Sequence, residues 1–173
     1  MIKIATVFSG IGAVEQALKQ LGLEHEIVFA CDNGERYIEK EFEEEFNEIS
    51  KYDFSERENE AKKLYEKIKK PNLVKKSYFA NYKISEENWH EDIRFLNGNQ
   101  YQNKVDIIVG GSPCQSFSTY GHRGGLEDTR GTLFYDYARL ISEIKPKFFI
   151  FENVTGLTNH DKGKTWKTIR EVF

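Results

Sequence analysis

The sequence has little cysteine and no long apolar run. Only two of its 173 residues are cysteine, Cys31 and Cys114, which excludes a disulfide scaffold and any zinc site built on four cysteines. No stretch of about 18 consecutive apolar residues is present, so we expect neither a membrane span nor a membrane partner. The N-terminus lacks the apolar segment and small-residue cleavage site of a signal peptide, and we therefore expect a cytoplasmic protein.

A large excess of one charge is also lacking. Lys and Arg total 25 against 28 Asp and Glu, for a net charge of -3. This balance excludes a histone-like polycation, although a local basic patch could still bind nucleic acid. No spacing of Cys and His predicts a metal site, and we expect no metal cofactor. The length suits one domain.

Short apolar segments alternate with amphipathic segments along much of the chain. Residues 2–8 predict a buried strand, residues 13–21 a helix ended by Gly22, and residues 26–31 a second strand. The alternation returns as a strand, a helix and a strand at residues 104–111, 132–144 and 147–154, with a loop at 112–131 after the first of these. The pattern predicts an α/β fold with a mostly parallel sheet flanked by helices.

The middle of the chain departs from this alternation. Residues 38–88 form an insertion whose function the sequence leaves open. The charged segment at 35–70, which overlaps it, carries apolar residues at helical spacing. Residues 62–70, KKLYEKIKK, indicate either a contact with the DNA backbone or, as we favour, a solvated helix face. The four histidines, scattered among charged and loop residues, are expected at the surface.

Polar and glycine residues follow the predicted strands, where ligands bind in open α/β sheets. The first strand leads into Phe8-Ser9-Gly10-Ile11-Gly12, whose glycines allow close approach of a ligand. The second strand ends at Asp32, and a carboxylate there typically binds ribose hydroxyls. The two features indicate an adenosine-containing cofactor or, equally well, a tight turn beside a surface carboxylate.

Two further strands end in groups capable of catalysis. Cys114 follows a glycine-rich strand end, where a thiol suits nucleophilic attack, although a lone cysteine is more often buried and structural. Cys31, inside an apolar strand, fits that structural role. Glu152 and Asn153 end the last strand, and a carboxyl group in that place could act as a general acid, pair with a cation or cap a helix.

In combination these segments resemble the DNA cytosine-5 methyltransferases, which use S-adenosylmethionine. Residues 110–118, GGSPCQSFS, resemble the family's Pro-Cys-Gln motif, and residues 145–157, KPKFFIFENVTGL, its Glu-Asn-Val motif. Residues 6–18, 90–96 and 128–141 are similar to the cofactor motif, the shorter Gly-Asp-Ile motif and the segment after the catalytic loop. Glu91 stands where the family usually has glycine. The resemblance implies a Rossmann-like, S-adenosylmethionine-dependent methyltransferase fold.

The resemblance also implies catalytic roles. Cys114 would attack carbon 6 of a cytosine flipped out of double-stranded DNA, and the methyl group would then pass to carbon 5. Glu152 would contact ring N3 and the exocyclic amine, and Asn153 would support the loop around Pro113. The residues expected to contact DNA are Gln115, Ser118, Tyr120, His122 and Arg123.

Cofactor contacts follow from the same resemblance, with S-adenosylhomocysteine as the product. Asp32 would bind the ribose, and Asp92 and Ile93 the adenine. The full set of expected cofactor-binding residues is Phe8, Ser9, Gly10, Ile11, Gly12, Asp32, Asn33, Asp92, Ile93, Gly111, Pro113 and Leu133.

The family's later parts have no counterpart in residues 1–173. A Gln-x-Arg-x-Arg strand, a target-recognition domain and a closing helix are absent, so we expect a C-terminally incomplete catalytic domain that depends on a C-terminal half or second subunit. An inactive cofactor- or DNA-binding remnant with a regulatory role is the alternative. A nicotinamide-dependent dehydrogenase would leave both catalytic motifs unexplained.

Overall fold

The protein folds around one parallel sheet. The structure, a computed structural model, describes residues 1–113 and 133–173. Within these residues the strands are β1 (Ile2–Val7), β2 (His25–Cys31), β3 (Trp89–His90), β4 (Ile107–Gly110) and β5 (Phe148–Phe151). They lie in the order β3-β2-β1-β4-β5, and every neighbouring pair is parallel. The predicted α/β fold is confirmed.

Helices connect the strands. They are α1 (Ala13–Gln20), α2 (Glu43–Ile49), α3 (Phe54–Lys67), α4 (Leu73–Asn81), α5 (Leu133–Ile144), α6 (Gly156–Asn159) and α7 (Lys164–Val172). Short 3-10 turns lie at Lys40–Phe42, Glu86–Asn88, Gly98–Tyr101 and His160–Gly163. Gly22 ends α1 as predicted: it adopts a φ of 67°, and the next residue, Leu23, donates its N–H to the Leu18 carbonyl at 3.0 Å.

The main core lies between the sheet and α5. Ala5, Phe29 and Ile108 on the strands are fully buried, as are Tyr137 and Leu140 on α5. Burying each large apolar side chain contributes roughly 1.5–3 kcal/mol, so this interface fixes the helix against the sheet. Among the described residues, no helix is long and apolar enough to cross a bilayer.

The insertion is helical and packs against one end of the sheet. Ile49 and Leu64 form a small core with Phe42 and Phe46, as the helical spacing predicted, and Phe95 from beyond the insertion joins it. A second cluster joins the insertion to β2 and β3; its buried residues are Ala30, Tyr78 and Trp89. The insertion therefore has its own apolar contacts and also covers the β3 side of the sheet.

His90 contradicts the expectation of a surface histidine. It lies in β3 and is only 5% exposed. Its Nε2 lies 2.8 Å from the Tyr101 hydroxyl, and its Nδ1 contacts the carboxylate of Glu58. Burial of this ring is possible because both nitrogens have partners.

Candidate active site

A pocket of about 350 Å³ lies beyond the carboxyl ends of the strands. Phe8, Asp32, Glu91 and Gly111, which directly follow β1, β2, β3 and β4, all line it. The chain leaves β1 toward β2 on one side, and β4 lies on the other side of β1. Such a reversal of strand order opens a crevice in which α/β proteins bind ligands.

Eight of the twelve expected cofactor residues line this pocket. They are Phe8, Asp32, Asn33, Asp92, Ile93, Gly111, Pro113 and Leu133. The other four, Ser9, Gly10, Ile11 and Gly12, form the adjoining turn between β1 and α1 and are not among the lining residues. The structure therefore brings together residues that are up to 125 positions apart, from Phe8 to Leu133.

The turn after β1 is tightly held. The Ser9 hydroxyl donates to the Thr6 carbonyl at 2.9 Å and accepts the Cys31 N–H at 3.0 Å, which ties the turn to the end of β2. Gly10 and Gly12 have φ angles of 54° and 89°, in the left-handed region that favours glycine. Ile11 between them is 64% exposed.

Asp32 holds two loops at the mouth of the pocket. Its Oδ2 accepts the N–H of Gly10 at 2.9 Å, and its Oδ1 accepts the N–H of Gly34 at 2.7 Å. Burial raises the pKa of this carboxyl group, while the two N–H donors act in the opposite direction. A carboxylate offers about four lone-pair sites, so two bonds leave acceptor capacity for a ligand hydroxyl.

The carboxylate of Asp92 accepts more hydrogen bonds than that of Asp32. Its carboxylate accepts the Tyr65 hydroxyl at 2.7 Å, and the Arg94 guanidinium contacts both carboxylate oxygens. The Asp92 side chain is 4% exposed. An adenine amine would therefore share this carboxylate with Tyr65 and Arg94.

The expected catalytic motifs meet at the ends of β4 and β5. Asn153 donates its side-chain N–H to the Ser112 carbonyl at 3.0 Å. Glu152 is exposed and lies beside Gly111, where a Cβ atom would come within 2.8 Å of Glu152 Oε2. A side chain at position 111 would collide with this carboxylate and with the backbone carbonyl of Glu152, which accounts for glycine there.

Several expected residues lie outside the described residues. They are the proposed nucleophile Cys114 and the five expected DNA contacts, Gln115, Ser118, Tyr120, His122 and Arg123. Pro113 directly precedes them and lines the pocket.

Sequence reasoning missed part of the pocket wall. Glu35, Tyr37 and Arg94 line the pocket, as do Cys31 and Glu91. Glu35 and Tyr37 belong to the segment after β2, which matched no motif. Within the described ranges, no group of three or more His, Cys, Asp or Glu side chains could hold a metal ion.

Known proteins with similar sequences are methyltransferases. The sequence profile of the C-5 cytosine-specific DNA methylases matches residues 64–173. The orphan methyltransferase M.SPRI of Bacillus phage SPR is 38% identical over 172 residues, which cover 99% of this chain and 30% of the relative. The type II methyltransferase M.HpaII of Haemophilus parainfluenzae is 60% identical over 70 residues, or 40% of this chain and 20% of the relative.

Solved structures show the same fold. The crystal structure of the Dnmt2 methyltransferase of S. pombe is similar with a TM-score of 0.54 and 18% identity. The match covers 99% of this chain and 42% of that one. A mutant of Spodoptera frugiperda DNMT2 gives a TM-score of 0.55 and 22% identity, with 41% of its chain covered. These likenesses bear out the expected Rossmann-like methyltransferase fold.

Two phage relatives match nearly the whole of this chain, and the chain spans about 30% of their length. The match lies in the N-terminal part of the relatives. The profile match covers well over half of the chain. The protein belongs to the family of C-5 cytosine-specific DNA methylases.

Proposed function

We propose that this chain is the cofactor-binding and catalytic N-terminal part of a DNA (cytosine-5-)-methyltransferase. One observation carries the proposal: residues after four neighbouring parallel strands line one pocket. The Ser112–Asn153 hydrogen bond, which joins two expected catalytic motifs beside the pocket, adds to it. A polypeptide supplying the target-recognition domain completes the enzyme. The enzyme acts in the cytoplasm of a bacterium or phage-infected cell, on its own or within a restriction-modification system.

The pocket fits S-adenosylmethionine in size and chemistry. Its walls combine the apolar side chains of Phe8, Ile93 and Leu133 with the carboxylate of Asp32. Apolar walls with a few placed polar groups are typical of cofactor sites, and about 350 Å³ lies within their usual range. When bound, this cofactor supplies an electrophilic methyl group.

The chain's own residues activate the cytosine. The Cys114 thiolate attacks carbon 6, which makes carbon 5 nucleophilic. Glu152 holds a proton at N3 as negative charge develops on the ring, and Asn153 fixes the Ser112 carbonyl two residues before the nucleophile. Once carbon 5 carries the methyl group, loss of its proton to a base and departure of the Cys114 thiolate restore the aromatic ring. These steps require a base flipped out of the duplex.

The exposed edge of the sheet supports the need for a second polypeptide segment. Strand β5 pairs with β4 and lies at the end of the strand order. Its residues Phe148 and Ile150 are 67% and 54% exposed, although strands in parallel sheets are usually covered on both faces. The phage relative M.SPRI is more than three times as long as this chain, and its further residues could cover this edge.

Trapping of a covalent adduct tests the proposal. The chain, combined with the C-terminal portion of a homologous methyltransferase, is incubated with S-adenosylmethionine and duplex DNA containing 5-fluorocytosine. Fluorine blocks the final proton loss, so we expect a stable protein–DNA adduct at Cys114, mapped by mass spectrometry. Cys114→Ser should abolish it, whereas Cys31→Ala should retain it. An adduct that persists in Cys114→Ser, or cofactor binding without any adduct in the assembled enzyme, would contradict the proposed chemistry.

A further inference from the structure

Four polar side chains of the insertion reach the loops that form the cofactor pocket. The Tyr82 hydroxyl donates to the Gly12 carbonyl at 2.7 Å, and the Tyr78 hydroxyl donates to Glu15 at 2.5 Å. Both contacts hold the start of α1. Tyr65 and Asn72 reach the ends of β2 and β3 instead. The insertion therefore contacts the segments that follow β1, β2 and β3.

Asn72 joins two of these loops with one amide group. Its Nδ2 donates to the Asp32 carbonyl at 3.0 Å and to Glu91 Oε2 at 2.9 Å, so both amide hydrogens are used. Its Oδ1 accepts the Lys75 N–H at 2.8 Å and thereby caps α4. Asp32 and Glu91 both line the pocket, whereas Asn72 is not among its lining residues.

Contacts around Asn72 explain two local features of the sequence. Gly34 packs against Asn72 so closely that a Cβ at position 34 would overlap the amide. Glu91, which stands where the family usually has glycine, is 14% exposed and pairs with Arg36 as well as with Asn72. Arg36 in turn donates to the carbonyls of Asn33 and Tyr65. The carboxylate of Glu91 is therefore, with that of Asp92, an acceptor by which the insertion attaches to the end of β3.

We propose that Asn72 is a positioning residue for cofactor binding, which fixes the ends of β2 and β3 at the distance that the adenosine part of the cofactor requires. The insertion is then a built-in support for the pocket. This inference rests on the proposed function, because it presumes that the pocket takes S-adenosylmethionine. It assigns no contact between Asn72 and the cofactor itself.

Asn72→Asp separates the two tasks of this side chain. Aspartate caps a helix about as well as asparagine does, so α4 keeps its N-terminal acceptor. The substitution removes both N–H donors and places a carboxylate against Glu91. We expect the dissociation constant of S-adenosylhomocysteine, measured by calorimetry on the whole chain, to rise by about tenfold or more, since two buried hydrogen bonds are lost and two carboxylates are brought together.

Rescue distinguishes positioning from a general loss of stability. In the double variant Asn72→Asp with Glu91→Gln, the donor and acceptor at the end of β3 are exchanged and the like charges are removed, whereas the bond to the Asp32 carbonyl stays lost. We therefore expect part of the affinity to return. Asn97→Asp is the matched control, because Asn97 also caps a helical turn, through the Asn99 N–H, and does not line the pocket. It should leave the affinity unchanged. If Asn72→Asp does not fold, Asn72→Ser keeps a capping oxygen but is too short to span both loops, and it should show the same loss.

The outcomes separate this inference from the proposed function. Equal affinity in Asn72→Asp and the unsubstituted chain, or failure of the Glu91→Gln exchange to restore any affinity, would overturn the role of Asn72 and leave the proposed function standing. No binding of S-adenosylhomocysteine by the unsubstituted chain would overturn the cofactor assignment, and the inference with it.

Discussion

Asn153, just after β5, donates a hydrogen bond of 3.0 Å to the backbone carbonyl of Ser112, just after β4. The Asn153 Oδ1 accepts the N–H of the next residue, Val154, at 2.9 Å, which orients the amide. This one side chain therefore links the strand end that carries Glu152 to the strand end that leads into Cys114.

Asn153→Asp should impair catalysis more than cofactor binding. Aspartate has the same shape but lacks the N–H donor, and it places negative charge against the Ser112 carbonyl. Because small displacements of catalytic groups cost up to about a hundredfold in rate, we expect turnover of the assembled enzyme to fall by about tenfold or more. The affinity for S-adenosylhomocysteine should stay within about twofold. Unchanged methylation would show that this hydrogen bond does not position the nucleophile.

Gly12→Ala should destabilise the fold more than Gly22→Ala. Both glycines have positive φ angles, 89° and 67°, so both substitutions carry the strain of a left-handed residue, about 1–2 kcal/mol. A Cβ at Gly12 would also overlap the Tyr82 ring, whereas a Cβ at Gly22 meets no atom within 4 Å. Urea denaturation of the two variants measures the difference. Equal losses of unfolding free energy would mean that Tyr82 does not pack on the turn.

Cys31 should resist alkylation in the folded protein. The side chain is 3% exposed, and burial, together with nearby carboxylates such as Asp92, raises the pKa of its thiol well above the ordinary 9.0. Little thiolate is therefore present at neutral pH, and the thiolate is the reactive form. Iodoacetamide labelling followed by peptide mass spectrometry should modify Cys31 only after urea is added. Rapid labelling of Cys31 without denaturant would contradict its buried position in β2.

Asp32 should make stability depend on pH in the acidic range. Burial raises its pKa in the folded state above the ordinary 3.8, so the unfolded chain releases this proton first as the pH rises. The stability that protonated Asp32 contributes is therefore fully present below pH 3.8, and it is lost as the pH rises through the folded-state pKa. Urea titrations across this range measure the unfolding free energies of the unsubstituted chain and of Asp32→Asn. The unsubstituted chain should lose stability relative to the variant as the pH rises.

The opposite dependence of stability on pH would contradict this prediction. If the unsubstituted chain gained stability relative to Asp32→Asn as the pH rises, the N–H bonds from Gly10 and Gly34 would outweigh burial.

The sequence allowed the strand ends to be predicted because their signals are local. Apolar runs followed by glycine, carboxylate or Ser-Pro-Cys identify β1, β2, β4 and β5, and parallel pairing brings their ends to one edge of the sheet. The structure accordingly gathers Phe8, Asp32 and Gly111, which the chain holds far apart, around one pocket.

The contribution of the insertion could not be predicted in this way. Strand β3 has only two residues, too few for a period to be recognised, and its His90 is buried through partners distant in sequence, Glu58 and Tyr101. The bonds of Asn72 to Asp32 and Glu91 likewise join residues 40 and 19 positions apart. Such tertiary hydrogen bonds leave no periodic signal in the sequence. The glutamate at position 91, where the family usually has glycine, is the one local feature that indicates a contact with another segment.

Binding of the cofactor product to this chain tests the central claim most directly. In a calorimetric titration, S-adenosylhomocysteine should bind with one site per chain, and the affinity should fall by at least about tenfold in Asp32→Ala, because the variant loses the carboxylate at the mouth of the pocket. NAD titrated under the same conditions should give no binding heat. Binding of NAD in preference to S-adenosylhomocysteine, or no binding of either, would contradict the account.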